Sequence, residues 1–227
     1  MGIEYYKGIP QSQITKLRIT SDGKPYTLEH SKELLVPMKY FGDTKTSVNS
    51  LGWQRDSNYY FNEISKQYPQ CLSKHNIKAI TEGNPPIVDK IWVKHFPQHK
   101  PYMDEELIHH HVGKGGMAAA VPIGMHKGSG EIHNGEKEAG IMEKAEQHTE
   151  SIKTLCHKDK SLYGKDAEEL TKILNAQKKQ IKATAITDAK HVSHTKQKTG
   201  RLPNALSTKN VQVNQNLGKT KQQTKKM

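Results

Sequence analysis

Cysteine is nearly missing from this chain: Cys71 and Cys156 are the two present, 85 positions apart. That scarcity argues against a disulfide framework, and the lack of a CxxC pair argues against a thiolate zinc site. Both are expected to be inert thiols. Large apolar residues are also scarce, with three Phe, two Trp and a hydrophobic fraction of 33%. No apolar run approaches the ~18 residues of a membrane span, so no membrane partner is expected. Met1-Gly2 opens no basic-then-apolar leader, which argues against Sec-type export. Acidic residues stop at Asp188: from Ala189 onward there are nine Lys and Arg and no Asp or Glu.

That last absence skews the charge. Residues 1–140 carry 17 Lys and Arg against 15 Asp and Glu, whereas residues 141–227 carry 18 against 8. Most of the formal net charge of +12 therefore sits in the C-terminal part. Such an arm suits a polyanion, because each phosphate contact releases counterions. A solvated tail with no ligand has the same composition. Residues 188–227, rich in Lys, Gln, Thr, Asn and Ser, are expected to form a disordered basic tail.

The opening residues read as short strands and turns. Ile14 to Thr20 alternates as a half-exposed strand does, Ser21-Asp22-Gly23-Lys24-Pro25 is a turn, and Tyr26-Thr27-Leu28 resumes extended structure. Arg55 to Ile64 suits a helix capped by Ser57 or Asp56, with Tyr60, Phe61 and Ile64 on one face as core residues. Ile87 to Val93 fits a strand or a helical turn equally well. Beyond Gly140, residues 141–160 carry a thin apolar stripe of Ile141, Ala145, Ile152 and Leu155. A second helix is predicted from Asp166 to about Ile186, with Ala167, Leu170, Ile173, Leu174 and Ile181 on one face. The expected organisation is a domain over 1–140, a helical extension over 141–187, and the tail over 188–227.

The feature that stands out is a histidine cluster. Five of the thirteen histidines lie between Leu107 and Gly140: His109, His110, His111, His126 and His133. Imidazole is the commonest protein metal ligand and the usual general base near neutral pH. In an extended segment, neighbouring side chains point to opposite faces, so one histidine can hold a metal while the next faces elsewhere. Gly113, Gly115 and Gly116 permit a sharp reversal. Met117 to Pro122 then returns as a second strand. A helix starting near Ile132 puts His133 in its first turn, facing the hairpin. The product is a ββα unit that can gather three imidazoles around a metal and leave one as a base. A surface coincidence or a metal-storage tract is the plainer reading of three histidines in a row.

These residues resemble a known family. HHH followed by Gly113-Lys114-x-x-Met117, then Ala120-Val121-Pro122, His126 and Gly130-x-x-His133-Asn134, is similar to the HNH, or His-Me finger, endonucleases. The branch it looks most like is the WHH/LHH-type nucleases of bacterial polymorphic toxins. Upstream, Gly23-Lys24-Pro25-Tyr26 and Gln54-Arg55-Asp56 with Asn62 fit the same branch over about residues 20–140. Two departures stand out: Ile108 replaces the tryptophan of the tryptophan-bearing branch, and six residues separate His126 from His133 where that branch has four.

The resemblance implies an α+β fold with a ββα-metal core over about 107–140, followed by helices. It implies a phosphodiester endonuclease acting on DNA, with RNA as the variant substrate, and one divalent metal ion (Mg, Zn or Ni). Carried over by position, His110 is the general base, His109 the first metal ligand, His126 the middle residue and His133 the last ligand. A one-step shift makes His111 the base and His110 the ligand, and both registers stand at this point. Lys114, Lys127 and Arg55 are candidates for phosphate contacts or plain solvated charges. The resemblance also implies a secreted toxin or effector, with a cytoplasmic protein as the other option, and a cognate immunity protein as partner. The alternative is an inactive metal- or nucleic-acid-binding interaction protein that keeps the finger as a scaffold.

Overall fold

The computed structural model of the chain describes residues 2–44, 47–126 and 131–198. Lys127, Gly128, Gly130 and residues 199–227 of the expected tail lie outside them. One compact unit spans Met1–Ile181 and a second begins at Lys182.

The architecture is α+β. The centre of the first unit is an antiparallel sheet in the order β3-β5-β4, which follows a two-stranded ribbon of β1 (Arg18–Ile19) and β2 (Pro25–Tyr26). β3 is Val36–Pro37, β4 is Leu107–His111 and β5 is Met117–Pro122. Every residue of β5 is buried, as suits a strand paired on both sides. Its Ala118, Ala119 and Ala120 register opposite His111, His110 and His109. Three methyl groups opposite three imidazoles leave the rings room to turn towards other partners.

The reversal between β4 and β5 depends on glycine. Gly113 has φ 57°, and a Cβ there would come within 3.1 Å of Ala145 and Ile141 on α7. At Gly116 a Cβ would lie 2.6 Å from that of Ala167 and 2.7 Å from the Trp53 ring. Both positions let helices press directly on the hairpin backbone.

Several helices begin where a side chain caps them. α1 is the short turn Gln11–Ile14. Asp56 accepts from the Tyr59 N–H at 2.8 Å and starts α2 (Ser57–Gln67), which buries Tyr60, Phe61 and Ile64. Ser73 caps α3 (Lys74–Thr81), and Asp89 caps α4 (Lys90–His95). α5 (Ile123–His126) and α6 (Glu131–Glu138) follow the hairpin. α7 (Ile141–Lys158) buries Ile141, Ala145, Ile152 and Leu155, the predicted stripe. α8 runs Ala167–Lys198.

Three segments depart from the sequence reading. Ile14 to Thr20 is not one strand: Ile14 ends α1, and the ladder holds only Arg18 and Ile19 before a turn closes it, with the Thr20 N–H donating to the Lys24 carbonyl. Ile87 to Val93 is both of its alternatives in turn, a bridge from Ile87 to Glu106 and then α4 behind its Asp89 cap. The last helix does not stop near Ile186 but continues to Lys198, inside the stretch expected to be tail. Residues 141–181 lie in the same compact unit as the hairpin, with α7 against its turn.

Candidate metal centre and active site

β4 is an edge strand, and its alternation splits the histidine triplet. His110 is fully buried on one face. On the other, His109 and His111 meet edge to face at 5.6 Å between ring centroids, and His109 stacks on Tyr60 at 5.9 Å.

The two helices after the hairpin bring further imidazoles to His110. Its ring lies 5.3 Å from that of His126 and 4.8 Å from that of His133, and those two are 4.7 Å apart. One nitrogen from each of the three lies within 4.8 Å of the others. The structure therefore gathers His110, His126 and His133 and leaves His109 outside that group.

A fourth side chain completes the arrangement, one that the sequence reading missed. Glu136 is fully buried, one helical turn after His133. Its Oε1 is 2.8 Å from Nε2 of His110 and accepts from the Gly113 N–H at 2.8 Å, while Oε2 is 3.1 Å from Nδ1 of His133. Burial alone raises a carboxyl pKa, but the positive field of His110 and these hydrogen bonds outweigh it and hold Glu136 at about 2. Facing an ionised carboxylate, Nε2 of His110 and Nδ1 of His133 carry their hydrogens. The opposite nitrogens are the ones that can offer a lone pair to a metal ion, which displaces any proton they carry. His110 Nδ1 is buried with no hydrogen-bond partner. The signal for Glu136 was in the sequence: a carboxylate three residues after a candidate ligand on one helix shares its face.

These residues fit a divalent ion. An orphaned buried nitrogen on His110, a second imidazole fixed by the same carboxylate, and His126 beside them form a donor set of the kind zinc and nickel prefer. Magnesium prefers oxygen. A carboxylate behind a ligating imidazole fixes its tautomer and raises its basicity.

His111 is held differently. Its Nδ1 donates to the Gly115 carbonyl at 2.9 Å, and its Nε2 is buried with no partner. Burial pushes the imidazole down to about 3, against the opposing pull of the Gly115 carbonyl, so the ring is neutral with a lone pair on Nε2. Burial likewise lowers His126 to about 4, helped by the charges of His110 and His133. His109 is lowered to about 4 by burial and then by Arg55.

Groups from both faces of β4 meet at one opening. A cleft of about 600 Å³ is lined there by Ile108, His109, His111, His126 and His133, together with Arg55 and Lys114. Arg55 is exposed at the entrance to α2. Lys114 has φ 62° and its carbonyl accepts from Asn49 Nδ2 at 2.9 Å. Of the other histidines, His148 bonds to Thr171 and His99 accepts from the Trp92 indole, both away from this cleft. His30 lies with its ring 5.9 Å from that of His110.

No curated protein and no solved structure matches the chain. A family model does, over residues 32–134, a span that holds the whole triplet, His126 and His133 but neither His30 nor Glu136. The family is named for the HHH triplet itself, in place of the WHH/LHH pattern. Residues 32–134 match the model of the HNH/Endo VII superfamily nuclease toxins with a HHH motif.

Proposed function

We propose that this protein is a metal-dependent DNA endonuclease in which His110, His126 and His133 hold one divalent ion and His111 is the general base. The convergence of those three imidazoles in front of the buried carboxylate of Glu136 carries this reading. It favours the shifted register, with His110 as ligand in place of His109. A divalent ion bound there would neutralise charge on the phosphate under attack.

The chain's own residues do the rest. The Gly115 carbonyl holds the His111 ring in the cleft wall, with its buried Nε2 unpartnered. That nitrogen takes a proton from a water molecule as the water oxygen attacks phosphorus, and the ester P–O bond opposite breaks. Because β4 is the edge strand, a phosphate seated against its open side is reached by His111 from one face and by the His110 group from the other. Arg55 and Lys114, on the wall of the same cleft, hold flanking phosphates. The basic stretch after Asp188 adds sequence-independent affinity for the same polyanion. As a toxin, the protein is a secreted effector that acts inside a target cell, and its likeness to nuclease toxins implies a cognate acidic immunity protein.

Supercoiled plasmid incubated with metal-free protein, then with Mg²⁺, Zn²⁺ or Ni²⁺, tests this directly, with labelled RNA in parallel. Nicking that needs an added ion and disappears in His111→Ala is expected. Absence of nicking with every ion sinks the endonuclease reading, and cleavage of RNA alone reassigns the substrate.

A further inference from the structure

We infer that His30, His110 and Glu136 form a second divalent-cation seat, buried behind the His110–His126–His133 group and competing with it for His110. One donor atom from each of the three residues lies within 4.8 Å of the others, as is also true of the front group. The rings of His30 and His110 are 5.9 Å apart and inclined at 40°. Two nitrogens in this small space, Nε2 of His30 and Nδ1 of His110, are buried with no hydrogen-bond partner. Buried polar atoms are nearly always satisfied, so two left unpaired on neighbouring rings, one of them the ring that Glu136 holds, point to a guest that satisfies them.

The seat has its own approach. His30 lines a cavity of about 590 Å³ with Pro25, Tyr26, Pro97, His99 and Met125. That cavity shares no lining residue with the cleft that holds His126 and His133. His110 lines neither, but its ring neighbours His30 on one side of this division and His126 and His133 on the other. An ion can therefore reach His110 from the front through the cleft or from the back past His30.

The chemistry selects the ion. Two imidazoles and one carboxylate with an open position are a donor set that zinc accepts at bond lengths of about 2.0–2.2 Å, which small side-chain rotations bring within reach. Magnesium is excluded by its demand for octahedral oxygen. The two seats cannot be filled together, since both draw on His110. An ion in the rear seat also engages Glu136, the carboxylate that orients His110 and His133 for the front seat. Occupation of the rear seat therefore idles the front one. The inference needs only the coordination chemistry of these side chains and stands whether or not the chain cuts nucleic acid.

The test is a Co²⁺ titration of the metal-free full chain, read by ligand-field absorption and backed by Zn²⁺ competition with a chromophoric chelator. The double variant His126→Ala/His133→Ala removes the front seat. It is expected to keep one Co²⁺ with a ligand-field spectrum, and adding His30→Ala is expected to weaken that binding at least 100-fold. Equal Co²⁺ binding by the double and triple variants, both with native circular dichroism, overturns the inference. Should the double variant not fold, His30→Gln in the otherwise intact chain decides. Competition predicts tighter front-seat binding and a changed Co²⁺ spectrum, whereas an identical spectrum and affinity overturn the inference.

Discussion

Oε1 of Glu136 lies 2.8 Å from Nε2 of His110, a residue 26 positions earlier, while Oε2 of the same carboxylate holds His133. One buried side chain thus sets the tautomer of two imidazoles from two different elements, a strand and a helix. Glu136→Gln keeps the shape but loses the charge, and an amide offers only one acceptor. Isothermal titration with Zn²⁺ is expected to show a 10- to 100-fold weaker Kd. An unchanged Kd removes the orienting role assigned to this carboxylate.

The register of the triplet has a clear kinetic signature. His111→Ala is expected to lower plasmid nicking by about 10²–10⁴-fold while leaving metal affinity intact, as befits a general base. His110→Ala lowers both. His109→Ala, which removes a ring stacked on Tyr60 outside the metal group, is expected to cost less than about 10-fold in rate. If His109→Ala abolishes metal binding and His111→Ala does not affect cleavage, the unshifted register is the right one.

The phosphate contacts assigned to Arg55 and Lys114 predict a salt effect. Each substitution to Ala is expected to weaken binding of a short duplex uniformly across sequences and to reduce the salt slope by about one. Fluorescence anisotropy at several ionic strengths measures this. A slope that does not move makes the two residues solvated charges.

Gly116 sits where a Cβ would lie 2.6 Å from that of Ala167 and 2.7 Å from the Trp53 ring. Neither neighbour is the far end of a flexible chain, so Gly116→Ala must push α8 or the indole away. Urea denaturation is expected to show a loss of about 1–3 kcal/mol. A neutral result means the hairpin and α8 are packed more loosely than these distances require.

His99 predicts how stability responds to acid. It is buried, accepts from the Trp92 indole at 2.9 Å, and burial lowers it from 6.5 to about 4. Between those values the unfolded chain binds a proton that the folded chain does not. Stability is therefore complete above about pH 6.5, falls as the pH drops towards 4, and is flat below that for this group. The full window corresponds to a loss on the order of 3 kcal/mol. His99→Gln is expected to flatten the decline of Tm across this range, and an unaltered profile assigns the acid sensitivity to other groups.

The chain order of the ββα unit is legible in the sequence because each part has a local cause. Leu107 to His111 and Met117 to Pro122 flank a glycine turn, Asp56 and the aromatic spacing after it announce α2, and the apolar stripe from Ile141 announces α7. These signals are short-range, and the elements followed them. Where a signal lacked a partner it failed: alternation from Ile14 to Thr20 promised a strand, but only two residues found a ladder.

The sequence by itself determined that five histidines share one hairpin-and-helix segment and that alternation must split the triplet. It could not decide which face of β4 the later histidines would join, because that depends on how α5 and α6 pack back on the sheet. Tertiary structure made that choice. It set His110 against His126 and His133, left His111 hanging on the Gly115 carbonyl with its Nε2 unpartnered, and turned His109 onto Tyr60. It also brought in Glu136 and His30, whose chemistry appears only when distant backbone folds them against one buried ring. A single residue's difference in register is invisible to composition and spacing, yet on a strand it exchanges the two faces.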